Sequence, residues 1–370
     1  MQNLSAVLSR SEEIILNLRS LFESYGYSHC SVGPFEEYDF YARNRCALPG
    51  DDVLIFTDAD GGLMALKPDV TMSIVKTVQE QIPGLRKLCY NESIYRIPTG
   101  GAGFRETVQT GLECIGDLDA YGVGEVLMLA LKSLRTIKST YILNLSHLGI
   151  LDGLLSQALP ENQDRTQILK AIGQKNLTAL RQNCGEVRME PQDVAALETL
   201  TCLYGPLRDT LPQVEALAKG EQMLEAVEEL KAIRDLMEIY GLGDHIHLDF
   251  SIRGGTDYYS GLVFRGFVED VSSPVLSGGR YDRLIRRMGK QAGGIGFAVY
   301  LDQLTCRKKS GKEEEVLLLY EKDVSPEQVI RTISVLKQDG LRVRADREIP
   351  GDRKYDRILK LSQEGVTEFA

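Results

Sequence analysis

The strongest constraint on the fold is the alternation of apolar and polar residues over positions 245–253. A strand sends successive side chains to opposite faces, so Asp249 and Arg253 are expected on one face while the apolar residues pack inward. This pattern predicts a half-buried β-strand. Its apolar members are Ile246, Leu248, Phe250 and Ile252.

Glycine clusters follow this predicted strand, at residues 254–255, 278–279 and 293–294. Glycine lets the backbone pass close to a small bound molecule. Two adjacent tyrosines, Tyr258 and Tyr259, stand between the first two clusters. Two interpretations stay open on these residues alone: a polar pocket floor laid on a sheet, or a solvated sheet face connected by glycine turns.

A second strand is predicted over residues 105–116. Gln109 and Glu113 project from the same face of this strand with only Gly111 between them. Such spacing leaves room above the strand for a small ligand. The alternative is an edge strand that carries two solvated polar residues.

The charge and the reactive residues exclude several classes of protein. A net charge of −10 argues against nucleic-acid binding through the overall field, because phosphate binding needs a basic surface. Seven widely spaced cysteines without Cys-x-x-Cys spacing argue against zinc and favour a reducing cytoplasm. The four histidines share no metal spacing, so no metal site is expected. The densest basic group is typical of a solvated helix face; it consists of Arg283, Arg286, Arg287 and Lys290.

The order of predicted elements indicates a sheet domain interrupted by helices. No run approaches the ~18 apolar residues of a membrane helix, and we expect a cytoplasmic protein. Helices are predicted at 11–25, 67–82, 122–137, throughout 148–240, at the end of 297–304, and at 326–337 and 352–363. Strands are predicted at 27–40, 53–56, 63–66, 88–97, 105–116, 141–145, 245–253, 316–320 and 341–345.

Five segments resemble the class II aminoacyl-tRNA synthetases and, among them, the histidyl-tRNA synthetase branch. Residues 66–71 (Leu-Lys-Pro-Asp-Val-Thr) are similar to the branch's Leu-Arg-Pro-acid-x-Thr element. Residues 95–116 resemble motif 2, and residues 294–304 stand where motif 3 belongs. Residues 253–261 and 277–282 resemble the two histidine-specific elements, Arg-Gly-Leu-Asp-Tyr-Tyr-Thr-Gly and Gly-Gly-Arg-Tyr-Asp, the first being one residue longer here.

This resemblance implies an α+β fold whose antiparallel sheet is flanked by helices, with a helical insertion and a small C-terminal α/β unit. The synthetase-like domain is expected over residues 1–147 and 245–308, and the insertion over residues 148–244. The C-terminal unit, residues 313–370, resembles the start of an anticodon-binding domain, cut short.

The sequence departs from the synthetase pattern on the nucleotide side. Gln303 takes the place of the motif 3 arginine, and glutamine supplies neither a permanent charge nor a guanidinium fork to a polyphosphate. Ile97 and Pro98 stand where motif 2 carries an acid, and Gly103 stands where a basic residue is expected. ATP activation would therefore lack charged groups that usually stabilise phosphoryl transfer.

A site that keeps amino-acid contacts and lacks ATP contacts is similar to that of the ATP phosphoribosyltransferase regulatory subunits, a family of synthetase paralogues. This resemblance implies a non-catalytic, cofactor-free protein that mediates feedback inhibition by L-histidine in the first step of histidine biosynthesis. It implies a short-form ATP phosphoribosyltransferase catalytic subunit as partner and a homodimer core inside a hetero-oligomer, without tRNA or membrane partners. The implied histidine-binding residues are Asp69, Thr71, Arg105, Gln109, Glu113, Arg253, Tyr258, Tyr259 and Tyr281.

The expected roles follow from side-chain chemistry. Asp69, Glu113 and Gln109 would hold the α-ammonium group by charge-assisted hydrogen bonds. The three tyrosines would wall the imidazole ring, and Arg253 would meet the carboxylate. Two alternatives remain: an active histidyl-tRNA synthetase or related histidine-activating ligase, and a scaffold whose pocket is idle.

Overall fold

The computed structural model describes residues 8–45, 48, 53–79, 84–97, 103–159, 165–252, 258–304, 315–339, 341–351 and 355–369. The chain divides into two compact units, one of residues 14–305 and one of residues 306–370 together with residues 1–13. None of the helices in the described residues has the length and apolar character needed to cross a bilayer.

The larger unit is built on one mixed sheet, to which the described residues contribute nine strands in the order β1-β5-β6-β12-β11-β10-β7-β9-β8. Neighbouring strands run antiparallel except for β1 with β5 and β7 with β9, which are parallel. The bounds are β1 Ser28–His29, β5 Leu85–Arg96, β6 Arg105–Gly116, β7 Tyr141–His147, β8 Tyr204–Pro206, β9 Ile246–Asp249, β10 Leu262–Val268, β11 Leu276–Arg280 and β12 Gly293–Tyr300.

Helices cover one face of this sheet and give the unit its main core. Helix α4 (Ala120–Ile137) is apolar around most of its circumference and packs on β7, β10 and β12. The Asp119 carboxylate caps it by accepting the Gly122 N–H at 2.7 Å. Leu112 and Cys114 of β6 join this core together with Leu18 and Phe22 of α1 (Arg10–Ser24).

The helical insertion lies between β7 and β9 and carries the short strand β8. Its helix α10 packs on both α4 and α5, so the insertion shares the core of the sheet domain. The helices are α5 Leu148–Ala158, α6 Thr166–Gly173, α7 Leu177–Glu186, α8 Pro191–Cys202, α9 Leu207–Leu217 and α10 Gly220–Ile239.

A three-stranded sheet of β2 (Phe35–Glu37), β4 (Leu63–Leu66) and β3 (Ile55–Thr57) is formed by the segment between β1 and β5. The Asp58 carboxylate closes the predicted β3–β4 hairpin by accepting the N–H groups of Asp60 and Gly62. The strand predicted over residues 27–40 is wrong at its end, because residues 38–43 form helix α2 (Tyr38–Arg43). Helix α3 (Val70–Thr77) follows β4.

The C-terminal unit is a four-stranded sheet in the order β14-β13-β15-β16 with one helix among its described residues. The helix predicted over residues 352–363 is wrong: residues 357–362 form a strand, and residues 352–354 lie outside the described residues. Leu359 and Leu361 are buried beside β13, so the period is two. The bounds are β13 Glu315–Tyr320, α12 Pro326–Gln338, β14 Arg342–Asp346, β15 Arg357–Ser362 and β16 Gly365–Glu368.

Other predictions need correction at element ends. The strand predicted over 245–253 stops at Asp249, whose carboxylate accepts the Ser251 N–H and hydroxyl and turns the chain. The helix predicted at 297–304 is a 3-10 turn, Leu301–Gln303, after β12.

Lys290 does not belong to a solvated face. It follows α11 (Asp282–Arg287), is buried, and donates to the carbonyls of Val75, Lys76 and Val78 at the C-terminal end of α3.

Candidate functional site

A cavity opens on the sheet face opposite α4. Leu112 and Cys114 point into the core under α4, so Gln109, Gly111 and Glu113 face the cavity. Its open volume, mouth and adjoining solvent included, is about 660 Å³. It is lined by Leu48, Asp69, Thr71, Tyr90, Arg96, Gln109, Glu113, Tyr258, Tyr259, Ser277, Gly278, Tyr281, Gly296, Phe297 and Ala298.

Glu113 occupies the floor of this cavity. Its carboxyl group accepts a hydrogen bond from the Thr71 hydroxyl at 2.6 Å and another from the Tyr281 hydroxyl. Burial raises the pKa of Glu113 to about 8; the two hydrogen bonds oppose this shift, and the nearby charge of Asp69 adds to it. Glu113 is therefore mostly protonated at neutral pH.

A glycine makes room for this carboxyl group. A Cβ atom at Gly296 of β12 would lie 2.0 Å from Glu113 Oε2 and 2.4 Å from the Leu112 carbonyl oxygen. Gly296 faces Glu113 directly across the β12–β6 ladder. The glycines of residues 292–296 thus serve close packing at the cavity floor.

Asp69 forms a second acidic position on the cavity wall. It caps α3 by accepting the Met72 N–H at 2.9 Å, and this fixes the direction of its carboxylate. The Tyr258 hydroxyl donates to Asp69 at 3.4 Å, and the Arg96 guanidinium lies 3.1 Å away. Asp69 thus faces the cavity with its carboxylate direction fixed and the Arg96 guanidinium beside it.

Three tyrosines form an aromatic wall. The rings of Tyr258 and Tyr259 are 4.7 Å apart at 61°, and those of Tyr258 and Tyr281 are 6.2 Å apart at 58°. Burial raises the pKa of each of these hydroxyls, so each keeps its proton at neutral pH. Tyr258 donates its proton to Asp69 and Tyr281 donates its proton to Glu113. A flat heteroaromatic ring with a nitrogen acceptor is a suitable guest for such a wall.

Gln109 contributes an amide at the rim of the acidic floor. It is 4% exposed, and no hydrogen bond joins its amide to another side chain or to backbone in the part of the chain that the structure describes. Buried polar groups require partners, so this amide is available to a ligand. Gln109 and Glu113 are both buried on a strand with neighbours on both sides, which excludes the edge-strand alternative.

Seven of the nine residues implied by sequence line the cavity: Asp69, Thr71, Gln109, Glu113, Tyr258, Tyr259 and Tyr281. Arg105 does not; it is exposed on β6. Arg253 lies outside the described residues, as does the rest of 253–257. Asp249 was expected on the same strand face as Arg253. Its carboxylate instead pairs with Lys175 Nζ at 3.0 Å, and Asp249 does not line the cavity.

Sequence reasoning missed eight lining residues: Leu48, Tyr90, Arg96, Ser277, Gly278, Gly296, Phe297 and Ala298. Tyr90 pairs with Gly111 across the β5–β6 ladder, so alternation applied to β5 would have placed it on the cavity face. Arg96 pairs with Arg105 in the same ladder. Arg96 is the arginine of the two that lines the cavity, and its guanidinium lies 3.1 Å from Asp69.

The comparisons with known proteins identify the family of the chain. A family model described as histidyl-tRNA synthetase matches residues 4–304. An ATP phosphoribosyltransferase regulatory subunit from Desulfitobacterium hafniense is 30% identical over 348 residues, which cover 91% of this chain and 87% of that protein. The chain belongs to the ATP phosphoribosyltransferase regulatory subunits, within the histidyl-tRNA synthetase family.

Two solved structures share the fold of this family member. An ATP phosphoribosyltransferase regulatory subunit/histidyl-tRNA synthetase from Bacillus halodurans superposes with a TM-score of 0.76 at 24% identity, covering 91% of this chain and 88% of that one. A chain of the ATP phosphoribosyl transferase (HisG:HisZ) complex from Thermotoga maritima gives 0.62 at 19% identity, covering 79% and 97%. At these identities the likeness concerns the fold alone, and it confirms the class II synthetase-like architecture.

Proposed function

We propose that this chain is a non-catalytic regulatory subunit that binds L-histidine in the cavity and conveys feedback inhibition to a short-form ATP phosphoribosyltransferase. The observation that carries the proposal is the pairing of two carboxyl groups, Asp69 and Glu113, with three tyrosines in one cavity of a regulatory-subunit family member. Free histidine offers an ammonium group for the former and an imidazole for the latter.

The arrangement suggests how histidine would be held. Its α-ammonium group would lie between Glu113 and Asp69, with the Gln109 amide oxygen and the Thr71 hydroxyl completing its hydrogen bonds. Its imidazole would lie against the tyrosine wall. We assign its carboxylate to Arg253, while Arg105 faces solvent in the described structure and becomes the weakest member of the proposed set.

Support for the partner comes from relatives. The Thermotoga maritima neighbour is a chain of an ATP phosphoribosyl transferase complex. We propose by analogy that this chain forms a homodimer core that assembles with short-form catalytic subunits in the cytoplasm. Histidine would act by favouring one state of that assembly over another.

Isothermal titration calorimetry with L-histidine tests the binding step, and the phosphoribosyltransferase rate of the reconstituted complex tests its consequence. We expect saturable binding and inhibition over the same range of histidine concentration. Binding that is absent at millimolar histidine, alone and in the complex, contradicts the sensor. Inhibition that persists in Glu113→Ala at unchanged histidine concentrations contradicts the use of this cavity.

An active histidine-activating ligase is the second candidate, and the histidyl-tRNA synthetase match over residues 4–304 is the observation that favours it. Gln303, at the position of the motif 3 arginine, speaks against it. The test is histidine-dependent exchange of pyrophosphate into ATP, for which we expect no signal. Exchange above that of a heat-inactivated control would establish the ligase.

A further inference from the structure

A chain of charged groups connects the helical insertion to the cavity. Glu229 lies on α10, and its Oε2 is 2.9 Å from His147 Nε2 while its Oε1 is 3.2 Å from Arg280 Nη1. Arg280 is the last residue of β11 and directly precedes Tyr281, which donates to Glu113 on the cavity floor. Two residues, Arg280 and Tyr281, thus connect an insertion helix to the proposed ammonium site.

The hydrogen-bond pattern shows which group holds the proton at the insertion end. The Gly149 N–H donates to His147 Nδ1 at 3.1 Å, so the ring proton of a neutral His147 lies on Nε2 and points at Glu229. Burial raises the pKa of Glu229, but the His147 hydrogen bond and the charge of Arg280 outweigh it, and the pKa lies below its ordinary range. Glu229 is therefore an anion that faces Arg280 at neutral pH.

At the cavity end the residues on both sides of Tyr281 are fixed. Arg280 Nε donates to Asp282 Oδ2 at 2.8 Å, and Asp282 Oδ1 accepts the Gly294 N–H at 2.9 Å. A backbone hydrogen bond joins the same two segments, since the Tyr281 N–H donates to the Gly294 carbonyl at 2.7 Å. The Arg280 carbonyl accepts the Ser260 N–H at 2.7 Å, next to Tyr259.

The Glu229–Arg280 pair is held by charge more than by close packing. A partly open pocket of about 530 Å³, adjoining solvent included, lies beside it between α4 and α10 and is lined mainly by small and aliphatic side chains that include Ala232 and Ile233. Arg280 therefore has space to change rotamer if the charge of Glu229 is removed.

We infer that Glu229 is a positioning residue for the amino-acid site: through Arg280, helix α10 holds Tyr281 against Glu113. The inference rests on the proposed histidine binding for its functional consequence. Because coupling between two sites is reciprocal, a perturbation that moves α10 lowers histidine affinity, and bound histidine holds α10 in place. The insertion thereby becomes one route by which occupancy of the cavity reaches the surface.

Glu229→Gln tests this, because glutamine keeps the size and an acceptor oxygen and loses the charge. Its matched control is Glu228→Gln on the same helix, since the Glu228 side chain is 71% exposed and pairs with Lys231 on the surface. By titration calorimetry we expect the histidine Kd to rise at least tenfold in Glu229→Gln and less than twofold in the control. Equal values in wild type and Glu229→Gln overturn the inference and leave the proposed function standing.

A cycle with Tyr281→Phe separates positioning from a general loss of stability. If Glu229 acts through the Tyr281 hydroxyl, adding Glu229→Gln to Tyr281→Phe raises the Kd less than threefold further. If Glu229→Gln still raises the Kd tenfold in the Tyr281→Phe background, Glu229 does not act through the Tyr281 hydroxyl.

Amide hydrogen exchange gives a readout that needs no ligand. We expect peptides spanning residues 276–294 to exchange faster in Glu229→Gln than in wild type or Glu228→Gln. If Glu229→Gln does not fold, Arg280→Gln replaces it, and we expect the same faster exchange in these peptides. Unchanged exchange in these peptides overturns the positioning role, whatever the outcome with histidine. Absence of histidine binding in wild type would instead refute the proposed function.

Discussion

Replacing Glu113 with glutamine isolates the free energy of keeping a carboxyl group inside the empty cavity. Glutamine has the same shape. Its amide oxygen can still accept from one of the two hydroxyls, Thr71 or Tyr281, while its NH2 group takes the place of the other acceptor oxygen and donates to the remaining hydroxyl. What it lacks is a titrating proton and a negative charge. The variant is therefore expected to gain stability at neutral pH and to lose histidine.

The magnitude follows from the raised pKa. An unfolded chain ionises Glu113 near its ordinary pKa of 4.5, whereas the folded chain keeps the proton up to about pH 8. Between these values the unfolded state binds fewer protons, so the free energy of unfolding falls by about 1.4 kcal/mol for each pH unit. At pH 7 the accumulated loss is about 3 kcal/mol, and Glu113→Gln removes it.

Urea denaturation of both proteins at pH 5, 7 and 8 measures this difference. We expect the variant to be of similar stability at pH 5 and more stable by about 3 kcal/mol at pH 7, with the gap widening toward pH 8. A gap that is independent of pH would show that Glu113 is ionised in the folded protein and would refute the reasoning.

The same substitution should weaken histidine binding. A charge-assisted hydrogen bond contributes roughly 1.5–3 kcal/mol, so its loss corresponds to an affinity about 10- to 100-fold lower by calorimetry. A more stable protein with a poorer site is the expected signature of a residue kept for binding.

The remaining predictions concern ligand linkage and packing. Because an ammonium group favours ionised Glu113, histidine binding at pH 7 should release close to one proton, measured as the difference between calorimetric heats in phosphate and Tris buffers. Gly296→Ala should lower histidine affinity at least tenfold, since its Cβ would lie 2.0 Å from Glu113, whereas the control Gly185→Ala meets no atom within 4 Å and should bind normally. Lys290→Met should reduce the free energy of unfolding by roughly 2 kcal/mol in urea denaturation, because three carbonyls at the end of α3 lose a charged donor.

Strand β6 was predictable to the residue because its alternation is uninterrupted and both of its faces are occupied. The same alternation identified Gln109 and Glu113 as neighbours above a glycine. The hairpin around Asp58 was predictable because its side chain supplies the turn's hydrogen bonds locally. In each case the determining contacts lie within the segment or its immediate neighbour.

Predictions failed where distant contacts decide. Residues 357–362 lie in a highly charged region that favours a helical reading, yet pairing with β13 on one side and β16 on the other makes them a strand. Lys290 looks like a member of a basic surface until α3 is placed beside it. The choice of Arg96 over Arg105 likewise depends on Asp69, 27 positions earlier than Arg96.

The contacts of Lys290 bear on which residues of the cavity can be substituted without loss of the fold. Helices α3 and α11 begin directly after Asp69 and Tyr281, two residues that face the cavity. Lys290, just after α11, donates to carbonyls at the C-terminal end of α3. Lys290 thus links the two segments that carry Asp69 and Tyr281 at a point away from the cavity. Residues that line the cavity can therefore be substituted without removing the Lys290 contacts. Such substitutions can change which ligand the cavity binds while the fold around it is kept. Libraries of variants at the lining positions can be screened in folded protein for binding of other amino acids.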